Sequence, residues 1–196
     1  MSAGLQIAIL AAGEARRFGG GKLDRRAGGR RIGGHALNGA LALGARRIVL
    51  IVRDPMPAFA QEAEAAGLAV PILNARADEG IGTSVALAAT SAEEAGCETL
   101  LLQLADMPLV RAATLRRLVD AAAPGRPAAV RHADGNPGIP ACFTRDWFGA
   151  LQGLGGDRGA GALLRGNEAT LIETEPAELR DVDTEADFSA IEALLG

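Results

Sequence analysis

Three short stretches carry residue types that could do chemistry. The first runs from Leu10, Ala11, Ala12 and Gly13 through Arg16, Arg17 and Phe18 to Gly19, Gly20, Gly21 and Lys22. A glycine-rich turn at a strand end presents backbone N–H groups, and cationic side chains beside it suit a chain of phosphates. A flexible surface loop with solvated arginines has the same composition. The second is Leu104-Ala105-Asp106-Met107-Pro108, an aspartate just past an apolar run. A hard carboxylate there suits magnesium, the natural companion of a triphosphate; the same residue could equally be a turn aspartate capping the next helix. The third, Arg180-Asp181-Val182-Asp183, reads as a short strand whose alternate carboxylates face one way and could address one metal ion, or form a solvated acidic edge.

The two best-known phosphate loops fail here. A Walker A loop needs a glycine where Arg16 stands and a Ser or Thr where Leu23 stands, and no G-x-G-x-x-G fingerprint is present. That weakens a dinucleotide-dependent oxidoreductase as an alternative function.

These stretches must be held by a scaffold. Apolar runs at Leu5–Ala11, Arg47–Val52, Leu68–Leu73, Thr99–Leu104 and Ala128–Arg131 predict strands buried on both faces. Alanine-rich segments of helical spacing separate them at His35–Leu43, Ala58–Ala66, Thr83–Ala95 and Ala112–Ala123, with Gly44, Gly67 and Gly96 where helix C-caps are expected. Strand and helix in alternation predict an α/β fold with a mostly parallel sheet, in which ligands gather beyond the carboxyl ends of the strands. The loops after Ala11, Leu73 and Leu104 lie at that edge. Beyond Ala133 the pattern loosens into a loop over Asp134–Pro140, a helix near Arg145–Leu151 and a glycine-rich stretch over Gly153–Gly161. Thr184 then caps a final helix, with Glu185 and Asp187 in its first turn.

Composition bounds the class. The 196 residues carry no linker and predict a single domain over 1–196. Apolar residues make up 48% and aromatics only 3%, so the core is built from Ala, Leu, Val and Ile. A net charge of −4 and so few rings argue against a nucleic-acid polymer as partner. Cys97 and Cys142 lack disulfide or zinc spacing. No membrane span or signal segment is legible, and the expectation is a cytoplasmic protein.

In this order the motifs resemble the MobA-like nucleotidyltransferase superfamily, and within it the molybdenum cofactor cytidylyltransferases. Leu10-Ala11-Ala12-Gly13, Arg17, Phe18, Gly19 and Lys22 are similar to the family's signature loop, and Leu104-Ala-Asp106-Met-Pro108 to its metal-binding motif. Gly80-Ile81-Gly82-Thr83-Ser84 resembles the segment that closes over the base, Gly156-Asp157-Arg158-Gly159 a substrate-side loop, and Asp181-Val-Asp183-Thr184 the C-terminal acidic motif. The resemblance implies a three-layer, Rossmann-like fold of the glycosyltransferase-A type. It also implies transfer of CMP from CTP to the terminal phosphate of molybdopterin, with release of pyrophosphate and with Mg2+ as cofactor.

On that resemblance Arg17, Lys22 and Asp106 are catalytic. Leu10 to Gly13, Gly19, Lys22, Gly80, Thr83 and Ser84 bind the nucleotide. Asp106 with Asp183 or Asp181 holds the metal, and Asn136, Pro137, Asp157 and Arg158 meet the acceptor. A molybdoenzyme of the xanthine dehydrogenase type is the implied recipient. Ala12, where relatives that use GTP carry glycine, favours cytosine.

The chain departs from the family where Ala15 stands for serine, where Leu23-Asp24-Arg25-Arg26 replaces Leu-Leu-x-Pro, and where Gly135-Asn136-Pro137 replaces Gly-His-Pro. GTP, another phosphorylated acceptor such as a sugar or polyol phosphate, and a non-catalytic cofactor-binding maturation factor remain as alternatives. Arg25, Arg26, Arg30 and Arg31 read as a solvated face or an acceptor contact. His35, His132, Cys142, Trp147 and Phe148 read as structural residues.

Overall fold

The computed structural model describes residues 2–13, 18 and 20–196; Arg17 and Gly19, both expected at the phosphates, lie outside the described residues. Among the described residues the main strands are β1 (Ser2–Leu10), β4 (Ala45–Val52), β5 (Val70–Leu73), β6 (Thr99–Leu104), β7 (Ala128–Arg131), β8 (Pro137–Thr144) and β9 (Thr170–Ile172). They form one sheet in the order β5-β4-β1-β6-β8-β7-β9. All neighbours pair parallel except β8, which runs antiparallel to both β6 and β7. A two-stranded hairpin, β2 (Arg26–Ala27) with β3 (Arg30–Arg31), stands apart.

Helices cover both faces. On one lie α1 (Ile32–Leu41), α2 (Ala58–Ala65), α4 (Ala112–Ala121) and α7 (Glu185–Leu195). On the other lie α3 (Ile81–Glu94), α5 (Phe148–Gln152) and α6 (Ala160–Arg165). The period of two along each strand divides the core accordingly. Ile7, Ile9, Leu50 and Leu101 face the first layer, while Ala8, Leu10, Ile51 and Leu102 face the second. Helices on both faces of a parallel sheet bury most of its central strands, which explains why β1, β4 and β6 read as mainly apolar runs, interrupted by buried Gln6 and Gln103 and by Arg46 and Arg47 at the start of β4.

Gly67 and Gly96 end α2 and α3 in left-handed conformation at φ 65° and 66°. In both, the next residue's N–H reaches back to close the last turn, Leu68 N to Ala63 O and Cys97 N to Ala92 O, each at 2.9 Å.

Several expectations need correction. β5 lies at the sheet edge with Val70 and Leu73 half exposed, so it is not buried on both faces. The expected loop over 134–140 yields at Pro137 to an interior strand, β8. Pro140, which cannot donate to a ladder, falls where the β7–β8 register shifts between Ala129 and Val130, so no ladder bond is lost. The glycine-rich stretch contains the start of α6. The acidic tail is no strand: a 3-10 turn over Pro176–Leu179 leads into extended, unladdered chain through Asp183. Thr184 does cap α7, in a reciprocal pair of hydrogen bonds with Asp187. His132 lies just past β7, its Nε2 3.0 Å from Ile139 O.

Candidate functional site

The chain leaves β1 at Leu10 and crosses the carboxyl edge of the sheet, held by Ala11 N to Ile51 O at 2.8 Å and Ala105 N to Leu10 O at 3.0 Å. Gly21, at φ 66°, turns it into a 3-10 turn over Lys22–Asp24. Asp24 fixes this turn. Its two carboxylate oxygens accept from Ala58 N and Phe59 N, both at 2.9 Å, the first amides of α2, whose own N-cap residue Pro57 supplies no side-chain acceptor. Arg31 Nη1 also donates to Asp24 O at 2.9 Å.

Asp106 follows β6 directly, and its carbonyl accepts from Val182 N at 3.0 Å. Four residues earlier, buried Glu178 accepts from Thr114 Oγ1 at 2.7 Å and Arg111 N at 3.2 Å at the start of α4. The C-terminal segment is thereby pinned on both sides of Asp181, and Asp183 is brought to the loop after β6.

Lys22 lies at the centre. Its Nζ is 2.7 Å from Asp106 Oδ2 and 3.0 Å from Asp183 Oδ1, and the side chain is buried. Burial opposes its charge, but the carboxylates of Asp106 and then Asp183 outweigh that cost and raise its pKa above the ordinary lysine value. Asp181 stands at the solvent side of the same group, where partial desolvation and then the charge of Asp183 raise its pKa.

A cavity of about 640 Å³ opens beside these groups. Leu10, Ala11, Ala12 and Gly13 line it together with Lys22, Asp106 and Asp183, and so do Gly80, Ser84 and Asp157. Of the remaining expected residues, Thr83 is buried with its hydroxyl bonded to Arg76 O at 3.0 Å and Gly80 O at 2.9 Å. Asn74 Nδ2 holds both Thr83 Oγ1 and Ser84 Oγ at 2.9 Å. Asp181, Asn136, Pro137 and Arg158 do not line the cavity among the described residues. Asn136 sits in the β7–β8 turn, bonded to Asp134.

The arginine run lies elsewhere. Arg25 stacks 4.2 Å above the Phe188 ring and pairs with Glu185 at 2.8 Å, while Arg31 pairs with Glu62 at 2.9 Å. These arginines fasten the hairpin to α7 and α2.

Sequence reasoning did not single out Asp24, Asp78, Glu79 or Glu178. Asp24 announced itself only as a departure from the family pattern. Glu178 carries no local signal, since its partner Thr114 is 64 residues away.

Among the described residues no three His, Cys, Asp or Glu side chains converge as a ready metal cage. The donor set still fits magnesium, which keeps several waters and takes one or two carboxylates together with substrate phosphates. Asp106 and Asp183, already gathered on one cation, are such a pair.

Comparison with known proteins agrees with this geometry. The purine catabolism protein PucB of Bacillus subtilis is 30% identical over 195 residues, covering 93% of each chain. A nucleotidyl transferase from Methanothermobacter thermautotrophicus, Mth528, superposes with a TM-score of 0.83 at 20% identity over 97% of both chains. Rv0371c of Mycobacterium tuberculosis superposes at 0.79 with 26% identity, over 98% of this chain and 100% of that one, and has also been solved in complex with manganese. The model of the MobA-like NTP transferase domain matches residues 7–173, and the chain is a nucleotidyltransferase that belongs to that family.

Proposed function

We propose that this protein transfers CMP from CTP to the terminal phosphate of molybdopterin. The observation that carries the reading is the meeting of Lys22, Asp106 and Asp183, from three distant segments, beside the wall formed by Leu10 to Gly13. The identity with PucB supports a place beside purine oxidation, since the cytosine dinucleotide form of the cofactor serves enzymes of the xanthine dehydrogenase type.

In this reading an oxygen of the acceptor's terminal phosphate attacks the α-phosphorus of CTP, a new P–O–P bridge forms, and the α–β P–O bond breaks as pyrophosphate leaves. Such a transfer needs little covalent help and depends on positioning and on neutralising charge. On the family resemblance, backbone amides of Ala12 and Gly13 would meet the triphosphate. Lys22 neutralises charge on the α-phosphate and the departing pyrophosphate, and Arg17 serves the same end. Asp106 with Asp183 would hold Mg2+, and Asp181, which does not line the cavity, is not needed for that pair. Bound there, magnesium supplies electrostatic stabilisation to the phosphates and orients them. Thr83 holds the Gly80 carbonyl, and Asn74 holds Ser84, so that Thr83 acts by positioning.

The test supplies magnesium and molybdopterin cofactor with CTP, GTP or ATP in parallel, and measures pyrophosphate and the pterin-bound nucleotide. Release with CTP alone and a cytosine dinucleotide product is expected, with turnover at least about a hundredfold lower in Asp106→Ala. Preference for GTP, or unimpaired turnover in a folded Asp106→Ala protein, overturns the reading.

A further inference from the structure

The main cavity is lined by five carboxylates and one ammonium among the described residues. Four of the five are committed. Asp106 and Asp183 share Lys22. Asp78 Oδ1 binds Arg53 Nη2 at 2.7 Å, and Glu79 takes a two-pronged pair from Arg76 at 2.8 and 2.7 Å. Asp157 alone has no side-chain partner among the described residues.

Its placement is fixed by close packing of two glycine-rich segments. Gly82 N donates to Gly156 O at 2.9 Å. A Cβ on Gly80, which stands at φ 118°, would strike Gly156 and lie 2.7 Å from Asp157 Oδ1, and a Cβ on Gly82 would lie 2.8 Å from Arg158 O. Only hydrogen at both positions lets the loop over 153–159 settle onto the first turn of α3. The Asp157 carboxylate consequently faces the cavity beside Gly80, packed on the segment that opens α3 and not carried by the loops that hold Lys22 and Asp106.

We infer that Asp157 determines nucleotide specificity by accepting a hydrogen bond from the exocyclic amino group of the base. The inference rests on the proposed binding of a nucleoside triphosphate in this cavity, with its phosphates at Lys22 and its base against Gly80–Ser84, the segment that resembles the family's base-closing one. There the carboxylate left without a donor matches a donor on the ligand. A carboxylate accepts from the N4 amino group of cytosine, whereas uracil presents a carbonyl oxygen at that position and is repelled. Asp157, expected from the family resemblance on the acceptor side, is assigned here to the nucleotide.

Equilibrium binding of CTP and UTP with magnesium, by titration calorimetry, tests this on the wild-type protein, Asp157→Asn and Asp157→Ala. An ionic hydrogen bond gained on one ligand and a repulsion on the other predict CTP tighter than UTP by about ten- to a hundredfold in the wild type. The ratio is expected to fall to within a few-fold in Asp157→Asn, whose amide can donate to O4 of uracil, while magnesium pyrophosphate binds all three proteins alike. An unchanged CTP/UTP ratio in both variants, or no discrimination in the wild type, overturns the inference and leaves the nucleotide site standing. Failure of the wild type to bind any nucleoside triphosphate overturns the underlying reading instead.

Discussion

Lys22 stands between two carboxylates, and its removal leaves Asp106 and Asp183 facing each other without a cation. Breaking a fully buried pair costs about 3–5 kcal/mol, but the Asp183 side chain is 45% exposed and water screens part of the loss, so about 1–3 kcal/mol is expected for Lys22→Met. Because the residual penalty is repulsion, the Lys22→Met, Asp106→Asn double variant costs less than the sum of the two single changes, with a coupling of about 1 kcal/mol. Urea melts of the four proteins at pH 7 measure it. The raised pKa of Lys22 gives a contribution fully present below the ordinary lysine value and lost as pH rises through the higher folded value, so neutral pH reads it whole. Additive costs would mean that the three groups do not form one electrostatic unit. A second residue, Cys142, is inert for the opposite reason: burial pushes its thiol up to about 12, in line with its reading as a small core hydrophobe.

The elements around Lys22 are joined by side chains that cap helices belonging to other segments. Asp24 closes the N-terminus of α2 and so fixes the turn that carries Lys22. Asp24→Ala strips two helix amides of their acceptor and is expected to cost about 1–2 kcal/mol. Since the lysine turn loses its anchor, nucleotidyl transfer should fall further than stability alone explains, while the protein remains folded at 25 °C. Thermal melts with turnover measured on the same preparation decide this; full activity in a destabilised protein would make Asp24 a structural cap only. The same elements show what the sequence could display. β1, β4 and β6 were legible because burial on both faces makes their central residues mainly apolar. β8 was not, because Gly138 and Pro140 are turn residues by type and lie within a strand only through the pairing of Gly138 with Val130 of β7 and the register shift beside it. Asp106 was legible from its place after the most apolar strand. The link from Glu178 to Thr114 was not, because no local pattern encodes a contact between residues so distant in the chain.

At the scale of the molecule, the cavity draws residues from positions 10–13, 22–23, 77–84, 104–106, 157 and 183, so it exists only when the sheet and both helical layers are assembled. A ligand that needs all of these segments binds the folded state and not the unfolded chain. Its stabilisation then follows mass action, about 2.7 kcal/mol at a hundredfold excess over Kd. For a chain of this length each kcal/mol moves Tm by about 2–4 °C, which predicts a rise of about 5–10 °C with saturating CTP and magnesium. The share owed to the metal is separable, because Asp106 and Asp183 are gathered on one cation while Asp157 belongs to another segment. With CTP and a chelator a smaller rise is expected, and Asp106→Asn should respond to CTP with magnesium no more than the wild type does to CTP with chelator. Calorimetric melts of both proteins under the two conditions measure this. An equal rise with and without magnesium, or an undiminished magnesium response in Asp106→Asn, would remove the metal from Asp106 and leave Lys22 as the charge that meets the phosphates.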